Sequence, residues 1–422
     1  MHADSNLRID PARLWDSLMQ MARPEFGGTE DGGMRRVALS AWDGAGRDLF
    51  RGWCAAAGLA VRVDPIGNVF ARLEGTDPAR APVLIGSHLD TQPAGGRFDG
   101  VLGVLAGLEV LRTIAETGTR PAAPIELVCW TDEEGSRFGR GLIGSAVWAG
   151  ELAPDAALAL ADRDGITVAA ALDAIGYRGN AAAGPRPDAY FELHIEQGPV
   201  LENEGARIGV VTGAQAQAWF EAVITGREAH AGTTPPAARA DALVGAARIV
   251  DLVDRMMRAR GEDGRGTVGR LDVRPNSPNT IPGEVRFSVE FRHPDDAEIA
   301  RLAAQFPREA GFISRDAGLR LAITPRLRIA AQQFDPDCVA LVEQAASGLG
   351  LPARRMISGA GHDAISVARA GVPTAMIFTP CRDGLSHNPA ESITAEEAAD
   401  GCQVLLRAVL ARAGARPAHP PT

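Results

Sequence analysis

Apolar strand-like runs that end in His, Asp or Glu, spaced by helix-like stretches, constrain this chain more than any other feature. APVLIGSHLD (81–90) reads as a buried strand with a polar end. PIELVCWTDEEG (124–135) reads as a second such strand and YFELHIEQG (190–198) as a third, with a helix from Val101 to about Thr117 between the first two. Strands alternating with helices imply an α/β fold, a mainly parallel sheet flanked by helices on both faces. Such sheets carry their sites at the carboxyl ends of strands. The chemistry is therefore expected along one edge of the sheet.

The pattern changes over 213–328. WFEAVITG alternates as a strand, and ADALVGAARIVDLVDRMMRAR (240–260) is a long amphipathic helix. GTVGRLDVRP and EVRFSVEFRHP follow as strands, then a helix from Asp295 and the strand LRLAITPRL. The order β-α-β-β-α-β is that of a ferredoxin-like unit, expected here as an inserted α+β domain over 213–328 between catalytic segments 1–212 and 329–422. The α/β pattern then resumes with a helix over 335–349, the strand PTAMIFTP (373–380) and a last helix beginning TAEEAADG. The tail RPAHPPT reads as disordered, and there are no internal repeats or low-complexity runs.

Composition removes several chemistries. All 43 basic residues are arginine. Without lysine there is no P-loop, no Schiff base, no pyridoxal phosphate anchor and no carboxylated lysine between two metals. A net charge of −10 with no basic patch excludes nucleic acid as a partner. The N-terminal stretch lacks the apolar core of a signal peptide, and no apolar run is long enough for a membrane span. Five scattered cysteines without a CxxC fit a reduced cytoplasmic protein.

Of eight histidines, His2 and His419 lie at the termini and read as idle. Most of the others stand in dense polar segments at strand ends or in loops. GSHLDT places His88 and Asp90 two apart on a strand, hence on one face, where Asp90 can accept the second ring N–H of a metal-binding histidine. Asp99 in GGRFDG has two oxygens with which to bridge two cations, although taken alone it reads as the N-cap of the following helix. TDEEG supplies Glu133 and Glu134, neighbours that need not share a role: one for metal, one for a proton. HIEQG and SHNPAE add His194 and His387. Three imidazoles, a glutamate and a shared aspartate make a pair of metal sites suited to Zn, and also to Mn, Co or Ni. HExxH, GxSxG and paired CxxC motifs are absent. SGAGHDA (358–364) matches a dinucleotide-binding pattern only superficially, because it lies late in the chain and follows the polar stretch PARR. In the inserted domain, GREAHAGTTPP holds His230 in a shaped loop, and VRPNSPNTIPGE and VEFRHPD add Asn279 and Arg292. Arginine can grip a carboxylate through two parallel bonds; from spacing alone, Arg292 reads rather as a solvated strand-end charge.

GSHLDTQPAGGRFDG, WTDEEGSRFGR, HIEQGPVLE, GREAHAGTTP, PNSPNTIPG and SHNPAE, in this order over about 12–412, resemble the hydantoinase/carbamoylase group of amidohydrolases. That group belongs to the dinuclear zinc aminoacylase and carboxypeptidase superfamily. The resemblance implies a zinc-exopeptidase-like catalytic domain, a lid and dimerisation domain, and two divalent metal ions per subunit. It implies that His88 and His194 bind one metal, Glu134 and His387 the other, and that Asp99 bridges them. Asp90 would orient His88, and Glu133 would be the general base. Gln197, Asn279 and Arg292 would hold the substrate carboxylate, and His230 would reach the other subunit of a homodimer to steady the oxyanion. The implied reaction is hydrolysis of an N-carbamoyl-L-amino acid to amino acid, ammonia and carbon dioxide. N-carbamoyl-β-alanine and allantoate remain alternatives within the group, and GSHLDTQP, GLEVLRT and GSAVW resemble β-ureidopropionases. A dipeptidase or aminoacylase, or an inactive binding homologue, is a more distant alternative.

Overall fold

The computed structural model describes residues 7–261 and 263–414; His2, His419 and the RPAHPPT tail lie outside them. The chain forms two compact units, one from the segments up to Gly213 and from Gln333 onward, the other from Ala214–Gln332.

The first unit is built on a nine-stranded sheet. Its centre is four mutually parallel strands in the order Ile125–Trp130, Val83–His88, Ala189–Ile195 and Thr374–Thr379. All four are fully buried, as expected of strands covered on both faces. The flanks are antiparallel: Val69–Leu73 pairs with Ile125–Trp130, Ala60–Val63 pairs with Val69–Leu73, and Ile208–Ala214 pairs with Thr374–Thr379. These flanking strands go unseen in the sequence, because they are short or interrupted by polar and glycine residues. Helix Val101–Glu116 is apolar almost all round and largely buried, which marks a helix enclosed by its neighbours. It packs on strands Val83–His88 and Ala189–Ile195 and on helix Ala395–Ala413, which also packs on those strands. The parallel strands therefore all present their carboxyl ends in one direction, with His88, Thr131–Glu134 and His194 at those ends.

The second unit has its own core. Its sheet runs Leu271–Arg274, Glu284–His293, Ala216–Thr225, Arg320–Ile329, each pairing antiparallel with the next. This strand order is the ferredoxin-like one. Along Ala216–Thr225, Ala218, Phe220, Ala222 and Ile224 alternate inward, and Phe220, Phe291 and Phe306 form an aromatic cluster with centroids 5.5–6.2 Å apart. GTVGRLDVRP, expected as one strand, is two: Arg265–Thr267 and Leu271–Arg274 pair with different parts of Glu284–His293. Between them the Arg270 N–H donates to the Ser288 hydroxyl at 3.1 Å, while its carbonyl accepts from Ser288 N–H at 3.1 Å.

Candidate metal centre

His88 closes the strand Val83–His88 and is 1% exposed. Its Nδ1 lies 2.9 Å from the main-chain oxygen of Asp90. A carbonyl only accepts, so Nδ1 carries the proton and Nε2 is left with a lone pair. That Nε2 is buried with no hydrogen-bond partner, and stands 3.6 Å from Asp99 Oδ1 and 3.6 Å from Glu133 Oε2. The sequence expectation that the Asp90 carboxylate orients His88 is corrected in one respect: its nearer oxygen is 3.8 Å from Nδ1, and the main-chain carbonyl does the orienting. The Asp90 carboxylate instead accepts the N–H groups of Glu133 and Glu134, at 3.4 and 3.2 Å. It holds the following turn, because a strand-end carboxylate two residues beyond His88 faces the next loop.

Asp99 is not a helix cap. Helix Val101–Glu116 has Gly100 at its N-cap, with φ 67° and no side-chain cap bond. A Cβ on Gly100 would lie 2.3 Å from the His88 ring, so the close approach itself demands glycine. The Asp99 carboxylate is thereby freed to face the site. Oδ1 lies 3.1 Å from His194 Nε2, while Oδ2 accepts from Gln197 Nε2 at 2.8 Å and Ser386 Oγ at 2.6 Å. Gln197, expected at a substrate carboxylate, stands beside Asp99 and donates to it and to Ser386 Oγ. His387 Nε2 is 3.5 Å from Asp99 Oδ2 and 3.3 Å from Glu134 Oε2. Glu134 also accepts from the Gln92 side chain at 2.7 Å. Glu133 and Glu134 lie beyond the strand end, and the positive φ of Asp132, 52°, turns the chain there. The turn, not strand alternation, sends Glu133 towards His88 and Glu134 towards His387.

Two ligand groups result: His88, Asp99 and His194, and Asp99, Glu134 and His387, with all candidate ligand atoms in each within 4.8 Å of one another. They share Asp99. The electrostatics fit cations. Burial, then Asp363, Glu134, Asp99 and Asp90, pushes the Glu133 carboxyl well above its usual range. Burial, then Asp99 and Asp90, does the same to Glu134. Burial alone would raise Asp99, but the charge and hydrogen bond of His194 hold it far below. Acids crowded at low dielectric disfavour one another's charge, and a divalent cation reverses that. A buried, unpartnered imidazole lone pair beside these carboxylates is the donor set of such an ion.

Sequence reasoning missed several neighbours. Glu391 takes the N–H groups of Phe98 and Asp99 on one oxygen at 2.8 and 3.1 Å. Burial and the Asp99 charge push its carboxyl up to about 8. His362 is fully buried with its ring 4.5 Å from that of His194, and bonds Ser358 Oγ at 3.0 Å. Ser386 and Glu391 flank His387 within SHNPAE, and that adjacency was the available signal; His362 had none beyond its residue type.

In the second unit His230 and Asn279 are neighbours, since Thr280 pairs with His230 and the Asn279 carbonyl accepts from Ala231 N–H at 2.9 Å. His230 Nδ1 accepts from Gly232 and Thr233 N–H, which puts any neutral-state proton on the exposed Nε2. Arg292 stands on strand Glu284–His293 with its Nε on Glu290.

Residues 84–411 match peptidase family M20/M25/M40. The chain is 45% identical over 406 residues to an N-carbamoyl-L-amino-acid amidohydrolase of Rhizobium meliloti, covering 96% of this chain and 97% of that one. It is 40% identical over 407 residues to an enzyme of the same description from Geobacillus stearothermophilus, covering 95% and 98%. The solved hydantoinase/carbamoylase family amidase of Burkholderia multivorans superposes with TM-score 0.93 at 49% identity, covering 96% of this chain and 98% of that one. This likeness along nearly the whole length places the chain in peptidase family M20/M25/M40, in its hydantoinase/carbamoylase branch.

Proposed function

We propose that this chain is a metal-dependent amidohydrolase that cleaves the ureido C–N bond of N-carbamoyl-L-amino acids. Asp99 carries the reading, with one oxygen in each of two ligand groups; the likeness to N-carbamoyl-L-amino-acid amidohydrolases supports the substrate class. His88 and His194 would hold one ion, Glu134 and His387 the other. Two divalent cations, zinc first and manganese, cobalt or nickel as alternatives, supply polarisation of the ureido carbonyl and acidification of water.

Glu133 accepts a proton from the attacking water and delivers it to the leaving nitrogen. Water oxygen adds to the ureido carbon and one C–N bond breaks, giving the amino acid and carbamic acid; the carbamic acid then loses its remaining C–N bond spontaneously, so one substrate plus one water yields amino acid, ammonia and carbon dioxide. Asp90 keeps Glu133 in place through its main-chain N–H. Arg292 and Asn279 grip the substrate carboxylate, and Gln197 contributes from beside Asp99. His230 donates from Nε2 to the developing oxyanion of the partner subunit in a homodimer, with 213–328 serving as lid and dimer contact. A fixed donor of this kind is typically worth about 3–4 kcal/mol. The protein is assigned to the cytoplasm, a reading supported by five buried cysteines that are all free.

Ammonia release from N-carbamoyl-L-amino acids, N-carbamoyl-β-alanine and allantoate, with each metal restored to apoprotein, tests the substrate class. Turnover should be highest on an L-α-carbamoyl substrate; a preference for either other compound overturns the assignment. Mixing Glu133→Gln with His230→Ala protein tests the shared site. Mixed dimers should regain activity that neither variant has alone, and their inactivity would place His230 elsewhere.

A further inference from the structure

Arg36 is wholly buried, yet among the described residues its guanidinium bonds no carboxylate. Its guanidinium bonds three main-chain carbonyls from three separate segments: Leu89 at 2.7 Å through Nε, and Met21 and Phe26 at 2.9 Å each through Nη1. Nη2 finds no acceptor among the described residues. Burial lowers the affinity of this group for its proton, to about 10, against the opposing pull of Asp43 and Asp90, so it is a cation at neutral pH. A buried cation with an unused donor is costly to keep. Its benefit must lie in what it fixes.

It fixes the turn after His88 from both sides. The side chain holds Leu89 O, and the main-chain oxygen of Arg36 itself accepts Thr91 N–H at 2.9 Å. Between these two anchors lies the Asp90 carbonyl, which accepts from His88 Nδ1 and so leaves the lone pair on Nε2. The same turn aims the Asp90 carboxylate at the N–H groups of Glu133 and Glu134. The stitching continues beside it. Met34 and Gly95 exchange both main-chain bonds at 2.9 Å, and Arg97 Nε donates to Gly32 O at 2.7 Å.

We propose that Arg36 is a positioning residue of the metal centre, setting metal affinity by fixing the Asp90 carbonyl that orients His88. The proposal rests on the metal-centre reading given above. Planar geometry explains the residue type: a fork reaches three carbonyls in fixed directions, whereas an ammonium is a single point of charge.

The test uses full-length wild type, Arg36→Lys and Arg36→Met, stripped of metal and titrated with zinc against a chromophoric chelator. Tm is measured for apo and loaded forms, and KM at saturating zinc. Loss of a group that orients a ligand typically weakens metal binding about 10–100-fold. Arg36→Met should show a loss in that range, and Arg36→Lys a smaller one. KM should stay within about twofold of wild type, because the residue acts on the ligand and not on substrate. Should Arg36→Met fail to fold, Arg36→Lys decides. A folded variant that binds zinc as tightly as wild type, with Tm lowered equally in apo and loaded forms, makes Arg36 a brace of the fold alone and overturns the proposal. Wild type that binds no divalent metal overturns the metal-centre reading and this inference with it, whereas a zinc-tight wild type with zinc-tight variants overturns only the inference.

Discussion

Glu133 stands 3.6 Å from His88 Nε2 with its side chain 11% exposed, close to the ligands without belonging to either ligand group. Replacing it by glutamine keeps the volume and removes the base. Turnover should fall about 10²–10⁴-fold, with metal content per subunit unchanged by elemental analysis; full activity would remove Glu133 from the proton path. Gly100 makes a sterically stricter case. Gly100→Ala sets a methyl against His88 and also strains a backbone at φ 67°, so zinc affinity should drop with turnover, and a variant that retains both would mean the ring moves aside freely. Asp64, away from the metal centre, offers a titration. Burial raises its carboxyl from 3.8 to about 6, against hydrogen bonds from Asn68, Ile66 and Gly67. The folded form thus binds the proton more tightly than the unfolded chain, so this contribution to stability is fully present below about pH 4 and is lost as pH rises through about 6. Roughly 3 kcal/mol is at stake over that window. Asp64→Asn cannot titrate, so its denaturation free energy should fall less than that of wild type between pH 4 and 7. Parallel pH profiles for the two proteins would show that Asp64 is solvated.

Helix Ala395–Ala413 is held at its start by a reciprocal cap, in which the Thr394 hydroxyl accepts Glu397 N–H and the Glu397 carboxylate accepts Thr394 N–H. Thr394→Ala should cost about 1 kcal/mol in urea denaturation, and an unchanged midpoint would show that packing on helix Val101–Glu116 alone sets this end. The start of that helix was visible in the sequence as TAEEAADG, as were the central parallel strands, because burial on both faces leaves apolar runs such as VLIG and LVCW. Marginal strands such as Ala60–Val63 and Ala353–Ser358 were not legible, since a strand at the sheet margin keeps arginines and loses the pattern. The metal-side residues were legible as types and order. Their directions were not: Asp99 turns inward only because Gly100 takes the cap position, and Asp90 works through its carbonyl on one partner and its carboxylate on another. Arg36 lay in GGMRRVALS with nothing to separate it from Arg35 beside it, for burial of a cation is a property of the packed chain.

At the scale of the molecule, the ligand groups draw on residues 88, 99, 134, 194 and 387, all in the unit formed by the segments up to Gly213 and from Gln333 onward. Four distant stretches of that unit meet at Asp99, so metal ties its late segment to its early ones. Among the described residues, the Ala214–Gln332 unit contributes no member of either ligand group, and it has a separate core around Phe220, Phe291 and Phe306. Binding to the folded form alone stabilises by mass action, about 4.1 kcal/mol at a thousandfold excess over Kd. The stabilisation belongs to whichever cooperative unit holds the ligands. Calorimetry should therefore resolve two transitions, of which zinc raises one and a chelator lowers the same one, while the other stays fixed. Glu134→Gln assigns them: the transition that loses its metal dependence is that of the catalytic unit. If both transitions move together with metal, the two cores unfold as a single cooperative system, and the inserted unit draws its stability from the centre it does not ligate.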